Sequence, residues 1–411
     1  MSTRLTNQES AALTEGQRRS LFIASCIALI ATAMSFAIRG DIMDPLGRQF
    51  ALNNEQLGTA AGAWAFGFTI SIFIGGQLVD LLGMKRIVGL AFLAHVAGVF
   101  LTIFSNGFWM LFIATLAVGF GNGMVEAAVN PLVATIYSDR KTAKLNQLHV
   151  WFPGGIVIGG LISYALTQMG YADSWQLKMG VILVPVAIYG LMFLGQKFPV
   201  TERVQQGIST GSMYREALRP LFIVLLFCMI LTASTELAPG QWLPDIMTKT
   251  AGLQGILVLV WINGLMAIGR GFAGPIVHRL SPIGLLIGSA VMSALGLFAL
   301  SYASTPATAL GAATIFAIGT CYFWPTMLGI TSERFPAGGS LVLAIIGGVG
   351  TLAVWIFTRI MGGFYDAAGP RLALRYMVWL PVILVVIFAA IWLYDRARGG
   401  YKVVNLATEN R

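Results

Sequence analysis

The sequence has 411 residues, of which 57% are hydrophobic and 10% charged, and its mean hydropathy is +0.78. Soluble domains carry about 25% charged residues, so this composition excludes the soluble enzyme classes. The formal net charge of +9 calls for no nucleic-acid partner, because the basic residues collect between apolar runs long enough to cross a bilayer and can meet anionic lipid headgroups there.

Continuous apolar runs, in place of ten-residue alternation, exclude a β-barrel. The 48 glycines lie largely inside those runs and suit helices that approach closely in lipid. In chain order the pattern predicts a polar tail over 1–19 and then twelve spans: 20–43, 57–80, 87–106, 108–137, 146–169, 176–196, 220–247, 254–278, 282–303, 306–332, 338–365 and 375–395. The first run has no small-residue cleavage site and reads as a retained span. The polar stretch 197–219 separates a six-span bundle over 20–196 from a second over 220–395, and a tail follows over 396–411. Of the 26 lysines and arginines, 18 fall on the side of the two termini and 5 on the other. The positive-inside rule therefore predicts cytoplasmic termini and a multi-pass protein of the plasma (inner) membrane.

Span one closes on Arg39, Asp41 and Asp44. The two acids are three apart and share a face, so either can carry a proton, with Arg39 as an internal counter-ion. If the span ends near Ile38, the trio lies instead among the headgroups. After span two comes Gly76-x-Leu78-x-Asp80-x-x-Gly83-x-Lys85-Arg86. Its glycines permit a tight turn and close helix contact, Asp80 can accept from a neighbouring helix end, and Lys85 and Arg86 sit at the headgroups.

Span four places Asn122, Glu126 and Asn130 four apart, a polar stripe on an apolar helix. An ionisable group at mid-membrane costs about 2.5–3.5 kcal/mol or more unless it faces a cavity or a partner, which makes Glu126 a functional candidate; the alternative is a structural carboxylate hydrogen-bonded between helices. Span five contributes Asn146 and His149. In the second half stand Glu236 and Trp242 (span seven), Asn263 and Arg270 (span eight), Tyr322 and Trp324 (span ten) and Arg359 (span eleven). Glu236 and Arg270 are expected as a buried pair serving packing or gating. Arg359 has no such explanation and, with Arg39, invites a substrate bearing a carboxylate. Trp64, Trp151, Trp242, Trp261, Tyr322, Trp324 and Trp355 can stack on a sugar face or anchor helices at the interface. Cys26, Cys228 and Cys321 are isolated and the three histidines scattered, so neither a disulfide framework nor a metal site is expected, and no cofactor.

The halves echo one another. Pro131-Leu-Val-Ala-Thr-Ile-Tyr-Ser-Asp-Arg140 resembles Pro325-Thr-Met-Leu-Gly-Ile-Thr-Ser-Glu-Arg334, and Gly76-Gln-Leu-Val-Asp-Leu-Leu82 resembles Gly274-Pro-Ile-Val-His-Arg-Leu280, at separations of 194 and 198 residues. Such parallel duplication, together with the loop after span two, resembles the major facilitator superfamily. The resemblance implies an all-α membrane protein of 12 transmembrane helices in two pseudo-symmetric six-helix bundles.

Within that superfamily, Glu126-Ala-Ala-Val-Asn130-Pro131 is similar to the span-four motif of the fucose/proton symporter branch. So are Asp44-Pro-Leu-Gly-Arg-Gln49-Phe50, Lys144-Leu-Asn146-Gln-Leu-His149 (the branch has Gln at the His position), Glu236-x-x-x-Gly240-x-Trp242, Gly269-Arg270-x-x-x-Gly274 and Phe323-Trp324-Pro325-Thr326. The resemblance implies that Glu126 and Asp44 couple proton to sugar and that Asn146 and His149 touch substrate hydroxyls. The expected protein is a proton-coupled symporter of a monosaccharide or similar small polar solute, working as a monomer in the bilayer. Carboxylates and Asn oxygens would serve Na+ equally well as the coupling ion. The alternatives are a transporter of organic anions or sugar acids, an exporter of the same superfamily, and a non-transporting sensor. An ATP-driven pump is excluded by the absence of a Gly-x-x-x-x-Gly-Lys-Ser/Thr loop.

Overall fold

A computed structural model describes residues 13–52, 54–205, 207, 209–253 and 255–404; the side chains of some positions inside those ranges, Asp44 and residues 273–278 among them, lie outside the described residues. Among the described residues eleven helices are long and apolar enough to cross a bilayer: Glu15–Ile42, Gly62–Leu82, Met84–Ile103, Phe108–Ile136, Lys141–Tyr171, Trp175–Leu194, Pro220–Leu243, Arg279–Leu300, Pro306–Arg334, Pro336–Ala368 and Pro370–Ala397. The shorter apolar helix Leu257–Gly271 occupies the place of span eight and completes twelve.

The first helix starts at Thr14, whose hydroxyl accepts from the Gln17 amide while the Gln17 side chain accepts from the Thr14 amide, a capping box. It then runs through Pro45 to Phe50. Arg39 and Asp41 therefore lie within the helix, which does not stop near Ile38. Spans five and ten are each broken in two, as Lys141–Leu148 with Trp151–Leu166, and as Pro306–Thr320 with Phe323–Arg334. Pro153 and Pro325 explain the breaks, since a proline has no N–H for the carbonyl four residues back.

Burial divides the chain in the middle. Among the described residues one apolar core has its buried members between Leu21 and Phe193 and another between Phe222 and Ile391, while a small cluster of Phe68, Ile72, Ala127 and Ala344 joins the halves. The halves meet where span two lies along span eleven and span five along spans eight and ten. Small residues permit this approach: a Cβ at Gly76 would sit 2.1 Å from the Ala344 Cβ. Further along, the Phe66 and Trp355 rings meet edge-on at 4.9 Å.

One end of the molecule is tied by polar bonds. Gln196 donates to Ser20, Lys85 to the Gln196 carbonyl and Thr142 to Glu333. The start of span one and the ends of spans two, four, six and ten thus share a face. That face also carries Arg140, Lys144, Arg334 and Arg396 and is called the basic face below.

Candidate functional site

Between the halves lies a nearly closed cavity with about 40 Å³ of water-accessible space, which must widen before it admits a solute of sugar size. The first half lines it with Thr32, Phe36, Trp64, Phe68, Asn122, Glu126, His149 and Phe152; the second with Glu236, Leu237, Arg270, Trp324 and Thr351. Seven residues singled out from the sequence, Trp64, Asn122, Glu126, His149, Glu236, Arg270 and Trp324, are brought together here.

Glu126 is buried, its Oε2 accepting from Asn130 Nδ2 at 2.5 Å and facing His149 Nε2 at 3.6 Å. The other His149 nitrogen, Nδ1, is 2.9 Å from the Leu145 carbonyl. A carbonyl only accepts, so the network assigns the hydrogen to Nδ1; in the neutral ring Nε2 is then an acceptor directed at a carboxylate, which also only accepts. One proton on either group turns two facing acceptors into a donor and an acceptor. At 3.6 Å the pair is too far apart for a hydrogen bond, and His149 Nε2 has no partner.

Across the cavity, Arg270 Nη2 pairs with Glu236 Oε1 at 2.7 Å, both side chains almost wholly buried. Its Nε donates to the Cys321 carbonyl at 2.6 Å and its Nη1 to the His149 carbonyl at 3.0 Å. These are the carbonyls four residues before Pro325 and Pro153, the ones the prolines leave without an amide. One arginine thus fills a proline-vacated acceptor in each half and joins them across the seam. Glu236 Oε2 and Thr32 Oγ1, both on residues lining the cavity, have no partner.

Behind the wall, Asn122 is held from both sides: its Oδ1 meets His95 Nε2 at 2.8 Å and its Nδ2 donates to Ser35 at 3.2 Å, while His95 Nδ1 meets the Tyr189 hydroxyl at 2.9 Å. Gly121 makes room, since a Cβ there would lie 2.4 Å from His95 Cδ2. His95 leaves one signal in the sequence, a polar ring in an apolar span. Thr32, Phe36, Phe68, Phe152, Leu237 and Thr351 also line the cavity but are residue types that do not stand out in apolar helices.

Other candidates lie elsewhere. Asn130 stands behind Glu126, and Asn146 donates to the Thr142 carbonyl. Trp242 donates to the Thr358 carbonyl and stacks on Tyr365, away from the cavity, and the Tyr322 hydroxyl donates to the Gly269 carbonyl. Asn263 lines an adjoining space with Phe36, Phe152 and Glu236. Asp41 pairs with Lys178 at 2.5 Å and accepts from Ser163 at 2.6 Å; its cation is thus Lys178, not Arg39. Arg39 is buried with Nη2 unpartnered, and Arg359 is exposed, with no ion pair among the described residues. The Asp44 side chain lies outside the described residues. Asp80 accepts from Thr201 and, across the seam, from Ser340, whose hydroxyl is also within reach of the Gly76 carbonyl. Lys85 bonds the Gln196 carbonyl, and Arg86 is exposed. Among the described residues no cluster of ligands fits a metal.

Two six-span halves closing on a buried cavity of mixed lining are the build of a secondary transporter. Residues 21–339 match the Major Facilitator Superfamily; the chain belongs to that family and is a transporter, not an enzyme. Among solved structures it is similar to the E. coli fucose:proton symporter (TM-score 0.72, 18% identity, 90% of this chain and 97% of that one). It is similar also to a proton:xylose symporter (TM-score 0.77, 14% identity, 92% and 96%). At these identities the likeness is one of fold.

Among curated proteins, the Bacillus subtilis hexuronate transporter is 24% identical over 303 residues, 67% of this chain and 70% of the relative. The facilitated glucose transporter member 10 of Xenopus tropicalis is 29% identical over 136 residues, 32% of this chain. The match spans only 24% of that transporter's length, and 26% of its Xenopus laevis counterpart.

Proposed function

We propose that the protein is a proton-coupled symporter of a neutral monosaccharide or similar small polar solute, worked by rocking of the two halves about the central cavity. The basic face is cytoplasmic in this reading, as the positive-inside rule requires. The observation that carries the proposal is the facing of Glu126 and His149 on the cavity wall, two acceptors that one proton reconciles. Protonation removes the charge that would otherwise be sealed in a dry cavity as the carrier changes sides, and release restores it when water enters. Trp64, Phe68 and Trp324 offer flat faces, and the unpartnered atoms of Thr32, His149 and Glu236 offer polar contacts, the mixed lining that a sugar's faces and hydroxyls need.

Charge favours a neutral solute. Arg270 is neutralised by Glu236, so Glu126 leaves the lining negative unless it is protonated, and a carboxylate would be repelled. A second reading, a sugar-acid transporter, draws on the hexuronate transporter relative and requires Glu126 and His149 both protonated in the loaded state.

Uptake into liposomes containing the purified protein, under an inward-directed proton gradient, separates them. Neutral aldoses should accumulate uphill, with accumulation abolished by a protonophore and unchanged when Na+ is replaced by K+. Accumulation of hexuronates with neutral sugars inert moves the assignment to the second reading, and a strict Na+ requirement overturns proton coupling.

A further inference from the structure

His95, on span three, is buried and does not line the central cavity, yet it holds a residue that does. Both of its ring nitrogens are engaged. Nδ1 lies 2.9 Å from the Tyr189 hydroxyl on span six, and Nε2 lies 2.8 Å from Asn122 Oδ1 on span four. On the other side of the amide, Asn122 Nδ2 lies 3.2 Å from the Ser35 hydroxyl on span one, which in turn lies 2.7 Å from the Thr32 carbonyl.

The chemistry of this row fixes its direction from one end. A serine hydroxyl has one hydrogen, and the Thr32 carbonyl, which only accepts, takes it. Ser35 must then accept from Asn122, so the amide turns its nitrogen to span one and its oxygen to span three. That oxygen also only accepts, so His95 donates from Nε2, and the neutral ring offers Nδ1 to the Tyr189 hydroxyl. All four bonds thus run the same way, from span six through spans three and four to span one. Ser35, His95, Asn122 and Tyr189 are all buried, where a reversed amide facing the wrong partners is costly.

Taking the central cavity as the solute site, as proposed above, we propose that His95 is a positioning residue for it: by holding Asn122 Oδ1 it keeps the amide nitrogen forward, and Asn122 meets the solute as a hydrogen-bond donor to one of its oxygens. Of the amide's two hydrogens one goes to Ser35, and the other is left for the cavity that Asn122 lines. The direction bears on selectivity. A donor at this wall accepts a hydroxyl, a ring oxygen or a carbonyl oxygen as its partner, whereas a reversed amide would take hydroxyls alone. Without the ring's donor the amide is free to turn, and the contact with the solute is made in only part of the carriers.

Two measurements on the purified full chain test this. In protein labelled with 15N in its imidazole rings, the signals lost in His95→Gln belong to His95, and in the wild type they should show one neutral tautomer with the hydrogen on Nε2. In liposomes, counterflow of D-glucose, D-galactose and D-xylose identifies the sugar carried fastest. For that sugar His95→Met should raise the half-saturating concentration about tenfold, the loss of one directed hydrogen bond, with the maximal rate per folded carrier unchanged. His95→Gln, which keeps an N–H donor for Oδ1, should restore the wild-type value; a merely structural role would lower the rate and leave half-saturation in place. Ser35→Ala, which removes the acceptor that sets the direction, should raise half-saturation in the same sense and decides the transport arm should His95→Met fail to fold. If D-glucuronate is carried in place of the aldoses, the neutral-sugar reading fails, and the same variants decide this proposal on D-glucuronate; carriage of neither overturns both. A wild-type His95 hydrogen on Nδ1, or a half-saturating concentration that His95→Met leaves as in wild type, overturns this proposal alone.

Discussion

Arg270 is the most heavily bonded charged side chain of the central site, with one carboxylate and two carbonyls around it. Removing one partner of such a buried pair strands the other, at a cost of about 3–5 kcal/mol. Arg270→Met should therefore lower the unfolding midpoint sharply, and adding Glu236→Leu should recover most of the loss because neither charge is then left alone. Thermal unfolding of the single and double variants measures this; a double variant as unstable as the single one contradicts it. Burying a charge in an apolar run has a cost that shows in the sequence, which is why Glu126, Glu236 and Arg270 were legible there. The partner of Asp41 was not: Lys178 lies 137 residues away, and spacing along one helix pointed to Arg39. The six uncharged lining residues from Thr32 to Thr351 leave no trace either, because a threonine or phenylalanine on an apolar helix looks the same whether it faces lipid, core or cavity.

At the scale of helices, proline and glycine positions set the architecture. Pro153 and Pro325 each free a carbonyl that Arg270 takes up. Restoring an amide with Pro153→Ala gives the His149 carbonyl an intrahelical donor and should release the arginine from the first half while leaving its bond to Glu236. The expected outcome is a weakened seam: faster hydrogen exchange in residues 149–153 is not anticipated, since that helix gains a bond, whereas exchange around Arg270 should rise. A Cβ at Gly119 would sit 2.1 Å from the Trp64 carbonyl oxygen, backbone that cannot step aside. Gly119→Ala should accordingly destabilise the protein by about 1–3 kcal/mol, read from thermal unfolding, whereas Gly264→Ala, with nothing within 4 Å, should not. The apolar runs located the twelve spans because hydropathy depends only on composition. The breaks at 149–150 and 321–322 follow from Pro153 and Pro325, a local signal that hydropathy does not read, and the continuation of span one through Pro45 to Phe50 was not legible in that pattern.

For the whole molecule, among the described residues the side-chain hydrogen bonds between the halves fall at the basic face or near the cavity: Thr142 to Glu333, Ser340 to Gly76 and Asp80, Arg270 to His149. At that face the chain after span twelve turns on Gly399 and Gly400, both at positive φ, and Tyr401 donates to Glu333 at 2.7 Å while the Val404 amide bonds the Glu333 carbonyl. Glu333 thus joins the first half, the second half and the tail. Burial, with Glu333 beside it, holds the Tyr401 phenol well above 10. A raised acid keeps its proton in the fold, so this contribution to stability is complete below the unfolded value of about 10 and is lost as pH rises past it; the strap stays closed across the physiological range. Thr142→Val and Tyr401→Phe should each shift the carrier towards opening on the basic face, seen as a longer distance between spin labels at Gln147 and Arg398, with no change of that distance between pH 6 and pH 8 in the wild type.

The family and its two-half plan were legible from repeats and short motifs, whereas the cavity's closure depends on these seam contacts between residues hundreds of positions apart. The most direct test of the account is Glu126→Gln, assayed in the same liposomes for solute counterflow and for proton-driven accumulation. The account predicts that counterflow persists, nearly independent of pH, while uphill accumulation is lost; a variant that still concentrates solute against its gradient, with wild-type dependence on pH, contradicts it.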